Sequence, residues 1–149
     1  MIFVFEGKIR YQCKKAHLKL EALSPQTVGT YVLLPTSCKN LSPAKKSDII
    51  RCALLNKYGG IWLDTDLVGT GDFNHLHQIW EKNSFFSYYN DDGYLMCCLI
   101  SKPGTLVTTE WLSKIQTQLK RNTKHDRLAF GASILSSILH KSEEVFLKK

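Results

Sequence analysis

Apolar residues along this chain fall in short blocks whose spacing alternates between strand-like and helix-like. "IFVFEG" at residues 2–7 is an apolar run closed by glycine and predicts a first strand. "RYQCKKAHLKLEAL", residues 10–23, spaces leucines at 18, 20 and 23 among charges and predicts a helix that stops near Ser24-Pro25. "GTYVLLP", residues 29–35, predicts a second strand punctuated by Gly29 and Pro35. "SPAKKSDIIRCALLNKY" follows as a helix, its apolar stripe carried by Ala44, Ile49, Cys52, Ala53, Leu54 and Leu55, with Gly59-Gly60 as its stop. "IWLDTDLV" predicts a third strand, and "NHLHQIWEKN" a helix. "SFFSYYN" and "YLMCCLIS" predict two further strands joined by a hairpin turn at Asp91-Asp92-Gly93. "GTLVTTEWLSKIQTQLKR" and "AFGASILSSILHK" predict two closing helices. Strands alternating with helices imply one α/β domain over residues 1–149, with a mostly parallel sheet and helices on both faces.

Composition agrees with one domain. The chain has 149 residues, of which 44% are hydrophobic and 22% charged, within the range of soluble globular proteins. Net charge is +7. Residues 1–57 hold ten Lys/Arg against three Asp/Glu, whereas residues 58–149 hold ten of each. The basic first third points to an anionic partner such as a nucleotide or phosphorylated substrate. Nucleic acid is disfavoured, because "KKAHLKLEAL" interleaves no aromatic residue for base stacking. The five cysteines, Cys13, Cys38, Cys52, Cys97 and Cys98, form neither a disulfide framework nor a zinc knuckle, and imply reduced thiols. "MIFVFEGK" lacks a signal peptide's basic n-region, and the apolar run "YLMCCLI" is far below the ~20 residues of a membrane span. A cytoplasmic or membrane-peripheral location is expected, with no transmembrane segment.

The chemistry concentrates in residues 47–67. Asp64 and Asp66 follow the apolar run "IWL" with one residue between them. In an extended strand such residues share a face, ~6.6 Å apart, and here they stand near the strand's carboxyl end, where open α/β sheets bind ligands. Two like charges there need a positive companion. An oxygen-seeking divalent cation, Mg²⁺ or Mn²⁺, suits them, and it could hold a diphosphate in turn. One helix earlier, Asp48 and Arg51 are three residues apart and share a face. Gly59 and Gly60 allow a sharp turn and a close ligand approach.

The composite "SDIIRCALLNKYGGIWLDTD" resembles the signature of nucleotide-sugar glycosyltransferases with a sugar-binding D-x-D region. That group includes capsular polysaccharide synthesis proteins, initiating mannosyltransferases, α-1,4-galactosyltransferases and glucosylating toxins. The pattern S-D-x-x-R, apolar residues, Y-G-G, an apolar strand and D-x-D is present in full order and spacing. The resemblance implies a GT-A-like (Rossmann-like) fold and a metal-dependent hexosyltransferase. The donor would be a UDP- or GDP-sugar, the acceptor a glycan or other hydroxyl, and the transfer retaining. By the same resemblance Asp48 and Arg51 bond the donor sugar, Asp64 contacts ribose and sugar beside the metal, and Asp66 ligates the metal. "FVFEG" resembles the family's first strand, which places Phe5 by the base. His140 stands in a helical pattern near the end.

Other readings of the same residues are weaker. Trp62 and Ile61 read as core. His75 and His77 read as surface residues, since an H-x-H on a helix points its two rings apart. "IWLDTDLVGT" also resembles the nucleophile strand of haloacid-dehalogenase-like phosphatases, but there the motif stands near the N-terminus. The alternative function is a nucleotide-sugar-binding protein without turnover, or a subunit that needs a partner protein.

Overall fold

The structure, a computed structural model, describes residues 2–5, 20–23, 38, 40–64, 67, 74–90, 93–121 and 130–140. The strand expected at residues 29–35, residues 10–19 of the first expected helix, and Thr65, Asp66, Asp91 and Asp92 lie outside them, as does Cys13. The elements are β1 (Ile2–Phe5), β2 (Leu20–Leu23), α1 (Pro43–Tyr58), β3 (Gly60–Asp64), α2 (Asn74–Lys82), β4 (Phe85–Asn90), β5 (Gly93–Ser101), α3 (Leu106–Arg121) and α4 (Ala132–Leu139). Among the described residues no helix is long and apolar enough to cross a membrane. Cys38, Cys52, Cys97 and Cys98 form no disulfide.

The five strands form one sheet in the order β2-β1-β3-β5-β4. β1 pairs in parallel with both β2 and β3, whereas β5 runs antiparallel to β3 and to β4. The sheet is therefore mixed, and the expectation of a mostly parallel sheet is corrected. The cause is local. Asn90 pairs directly with Gly93, and a connection that short cannot cross over, so β5 must return against β4. The hairpin expected around Asp91-Asp92-Gly93 thus forms, and it reverses the strand next to β3.

One further boundary differs from expectation. Leu20–Leu23 was expected as the tail of a helix, but it is a strand whose four residues all register with β1. Helix propensity is a weak prior, and parallel pairing outweighs it here. The third strand, expected over "IWLDTDLV", is described as Gly60–Asp64, in register with β1 up to Phe5, and the Leu67 N–H donates to the Asp64 carbonyl at 3.2 Å.

Side-chain alternation along β3 divides the core. Trp62 packs with Phe85, Leu99, Trp111 and Phe130 and with buried residues of α1, α3 and α4. Ile61 packs with Phe86 and Ile100 on the opposite face, covered by Leu76, Ile79 and Trp80 of α2. Helices thus cover both faces, as the alternation of apolar blocks implied. α1 and α3 are fastened by Asn56, whose Oδ1 accepts from Thr108 Oγ1 and Thr109 Oγ1, both at 3.1 Å. Thr105 caps α3, its Oγ1 accepting the Thr108 N–H at 3.2 Å.

α1 ends as its sequence dictates. Gly59 adopts φ 62° and returns its N–H to the Leu55 carbonyl at 2.9 Å. A Cβ there would stand 2.7 Å from Pro103 Cδ and 2.8 Å from the Ser101 carbonyl oxygen, so the β5–α3 turn packs straight onto this backbone. Gly104 has a similar φ of 64° but open space where its Cβ would be. Gly59→Ala should therefore cost about 2–4 kcal/mol, a left-handed penalty plus a backbone collision. Gly104→Ala should cost only the first part, about 1–2 kcal/mol. Urea midpoints for the two variants check this, and equal losses would contradict it.

Candidate active site

The sequence-predicted residues Asp48, Arg51 and Asp64 converge on one face of the sheet. α1 presents Asp48 and Arg51 three residues apart, and β3 presents Asp64 at its last position. Arg51 is 6% exposed, and its guanidinium is the hub. Nε lies 3.5 Å from Asp48 Oδ1, and one terminal nitrogen lies 3.4 Å from Asp64 Oδ1. That same nitrogen donates to Ser47 Oγ at 3.1 Å, while the other donates to the Met96 carbonyl of β5. The guanidinium carbon also stands 5.1 Å from the centre of the Trp62 ring, in cation–π range.

Trp62 is fully buried, as expected of a core residue, but its indole N–H has a second task. It donates to Asp64 Oδ1 at 2.7 Å. Residues i and i+2 of a strand share a face, so the ring reaches the carboxylate without leaving the core. Asp64 is thus fixed through one oxygen by Trp62 and Arg51 together.

Asp48 is placed differently. Its side chain is 13% exposed, and burial pushes its carboxyl up from 3.8 to about 6. Arg51 lowers it and the Asp64 charge raises it further. Burial wins over the single guanidinium because that cation is shared between two carboxylates. Nε of Arg51 makes no hydrogen bond among the described residues, so charge alone holds the Asp48 pair, at a distance beyond good hydrogen-bond geometry. The carboxyl rests against Gly131, at the start of α4. A Cβ on Gly131 would lie 2.7 Å from Asp48 Oδ2 and 2.9 Å from both Cγ and Oδ1. The sequence pattern put Gly131 inside a helix. The structure makes it the residue before α4, whose carbonyl accepts the Leu135 N–H at 3.1 Å. Its only sequence signal is the break that "FG" makes before an apolar helical stretch.

The other predicted residues are distributed around this cluster. The backbone of Phe5, the last residue of β1, pairs with Asp64. Gly59 ends α1 and Gly60 opens β3 at its other end, four residues before Asp64, so neither is part of the cluster. Asp66 lies outside the described residues. His140 caps the far end of α4, edge-on to Tyr94 with ring centres 5.9 Å apart. His75 and His77 belong to α2, which covers the opposite face of the sheet.

Among the described residues no three His, Cys, Asp or Glu side chains gather around one point. The donor set still suits a hard cation. Asp48 and Asp64 supply only carboxylate oxygens, and one guanidinium leaves their summed charge negative. Since Asp64 Oδ1 is already taken by two donors, Asp64 would reach a cation only through its other oxygen or through water.

The family described as capsular polysaccharide synthesis protein matches residues 8–102, which include the whole cluster. No curated protein sequence matches the chain. The solved structure titled PaToxG Glycosyltransferase resembles it with a TM-score of 0.55 and 17% identity. That likeness covers 66% of this chain and 34% of the other, so this chain spans about a third of that structure's length.

The Asp48 carboxyl gives the site a pH signature. A raised acid means the folded state holds its proton where the unfolded chain has lost it. Stability is highest below about pH 4 in this term and falls as pH rises through about 6. Asp48→Asn should remove that fall, stabilising the empty protein at pH 7 by about 1–3 kcal/mol relative to wild type. Unfolding midpoints of both proteins between pH 4 and 7 check this. Parallel curves would contradict it.

Proposed function

Because the chain belongs to the capsular polysaccharide synthesis protein family, we propose that it is a glycosyltransferase that takes a sugar from a nucleotide-diphosphate donor. The observation that carries this reading is the convergence of Asp48, Arg51 and Asp64 at the carboxyl end of β3. Hydrogen-bonding carboxylates beside a fixed guanidinium match a sugar's ring of hydroxyls, each of which both donates and accepts.

In this reading Asp48 and Arg51 bind the donor sugar, and Asp64 contacts both ribose and sugar. Phe5, paired with Asp64 at the end of β1, would place its ring by the base of a UDP- or GDP-sugar. The fold is then GT-A-like, with the donor above the parallel half of the sheet. Asp66 would hold Mn²⁺ or Mg²⁺, with Asp64 in support. Such a cation, when bound, neutralises charge on the departing diphosphate. The transfer in this reading is retaining, a course in which a well-placed leaving group matters more than a protein base. The acceptor is a glycan or another hydroxyl compound.

The test is a thermal-shift series with UDP- and GDP-sugars, in Mn²⁺ and in EDTA. A donor at ~100 times its dissociation constant adds about 2.7 kcal/mol to stability. One nucleotide class should raise the melting temperature, EDTA should abolish the rise, and Asp66→Ala should lose it while melting normally without ligand. A rise that survives both EDTA and Asp66→Ala would remove the metal from the reading. No rise with any donor would remove the donor. Binding without transfer to any hydroxyl acceptor would make the chain a binding protein or a partner-dependent subunit.

A further inference from the structure

We propose that Gly131 is a positioning residue for the donor site, acting only through Asp48. The functional half of this inference rests on the donor-site reading above, and the structural half does not.

Three carboxyl atoms of Asp48 lie within 2.9 Å of the point where a Gly131 Cβ would be. Real Cβ atoms do not tolerate such distances, so any other residue at 131 would displace either the carboxyl or the start of α4. Neither has slack. The backbone before Gly131 is anchored by Trp111, whose buried indole N–H donates to the Phe130 carbonyl at 2.7 Å. Phe130 itself is fully buried, and Gly131 accepts the first hydrogen bond of α4. α4 is then locked by Ile134, Leu135, Ile138 and Leu139 in the main core. On the other side, Asp48 is bounded by Arg51 at 3.5 Å and stands on a helix whose next residues, Ile49 and Ile50, are buried. A Cβ between these two fixed bodies would drive the carboxyl off its position beside Arg51.

Gly131 therefore sets where Asp48 points, and Asp48 is the group assigned to the sugar.

The test is a double-mutant cycle of Gly131→Ala and Asp48→Ala with two readouts. The first, melting temperature without ligand, needs no knowledge of function. Gly131→Ala should lower it in wild type and lower it by less than half as much in the Asp48→Ala background, where the clashing carboxyl is gone. If the single variant does not fold, the double variant should fold. Equal losses in both backgrounds, or two unfolded proteins, would overturn the contact as the reason for glycine. The second readout is affinity for the nucleotide sugar and for the bare nucleoside diphosphate, each measured by calorimetry. Gly131→Ala should weaken the nucleotide sugar by about tenfold or more and leave the nucleoside diphosphate within about twofold. In Asp48→Ala it should change neither. Equal weakening of both ligands would show a structural effect and overturn the positioning role. Wild-type protein that binds no nucleotide sugar would defeat the donor-site reading and with it the functional half. The melting cycle would still decide the contact.

Discussion

A buried guanidinium is costly unless it is paired, and Arg51 organises this molecule for that reason. Its nitrogens meet the Asp48 carboxylate on its own helix, the Asp64 carboxylate on β3 and the Met96 carbonyl on β5. Its flat face lies toward Trp62. One side chain therefore ties α1 to the centre of the sheet at the point where the chain leaves β3. The arrangement thereby fixes two carboxylates that would otherwise repel each other and turn to water.

The same arrangement leaves a charge imbalance. Two carboxylates share one cation, and burial pushes the more buried of them, Asp48, up to about 6 against the pull of Arg51. A site built for structure alone would gain by neutralising or deleting that residue. In the proposed donor site, keeping it would trade some stability for a ready hydrogen-bonding group. The Trp62 N–H and the Gly131 backbone are the two devices that hold the carboxylates in place, one reaching up from the core and one closing from α4.

Much of this was legible in the sequence, for definable reasons. Asp48 and Arg51 are three apart on a strongly patterned helix, Gly59 marks its end, and Asp64 closes an apolar strand, so local periodicity alone brings them near. What sequence could not give was non-local. "LEAL" reads as helix until β1 is there to pair with it, and β5 reverses because Asn90 and Gly93 pair directly with only two residues between them. Trp62 looked like core and is core, but no pattern could show that its N–H reaches Asp64. Gly131 is 83 residues from Asp48 in sequence, and only the packing of α4 on α3 and β5, in a core shared with α1, makes them neighbours.

The central claim is that the Arg51 cluster recognises the sugar half of a nucleotide-sugar donor. The most direct measurement is the calorimetric affinity of Arg51→Lys for the nucleotide sugar and for its bare nucleoside diphosphate, beside wild type. Lysine keeps the charge but loses the planar fork that holds two carboxylates at once. The account expects a cooperatively folded variant that binds the nucleoside diphosphate within about twofold of wild type and the nucleotide sugar at least about tenfold more weakly. A folded variant that binds the nucleotide sugar as tightly as wild type would contradict it.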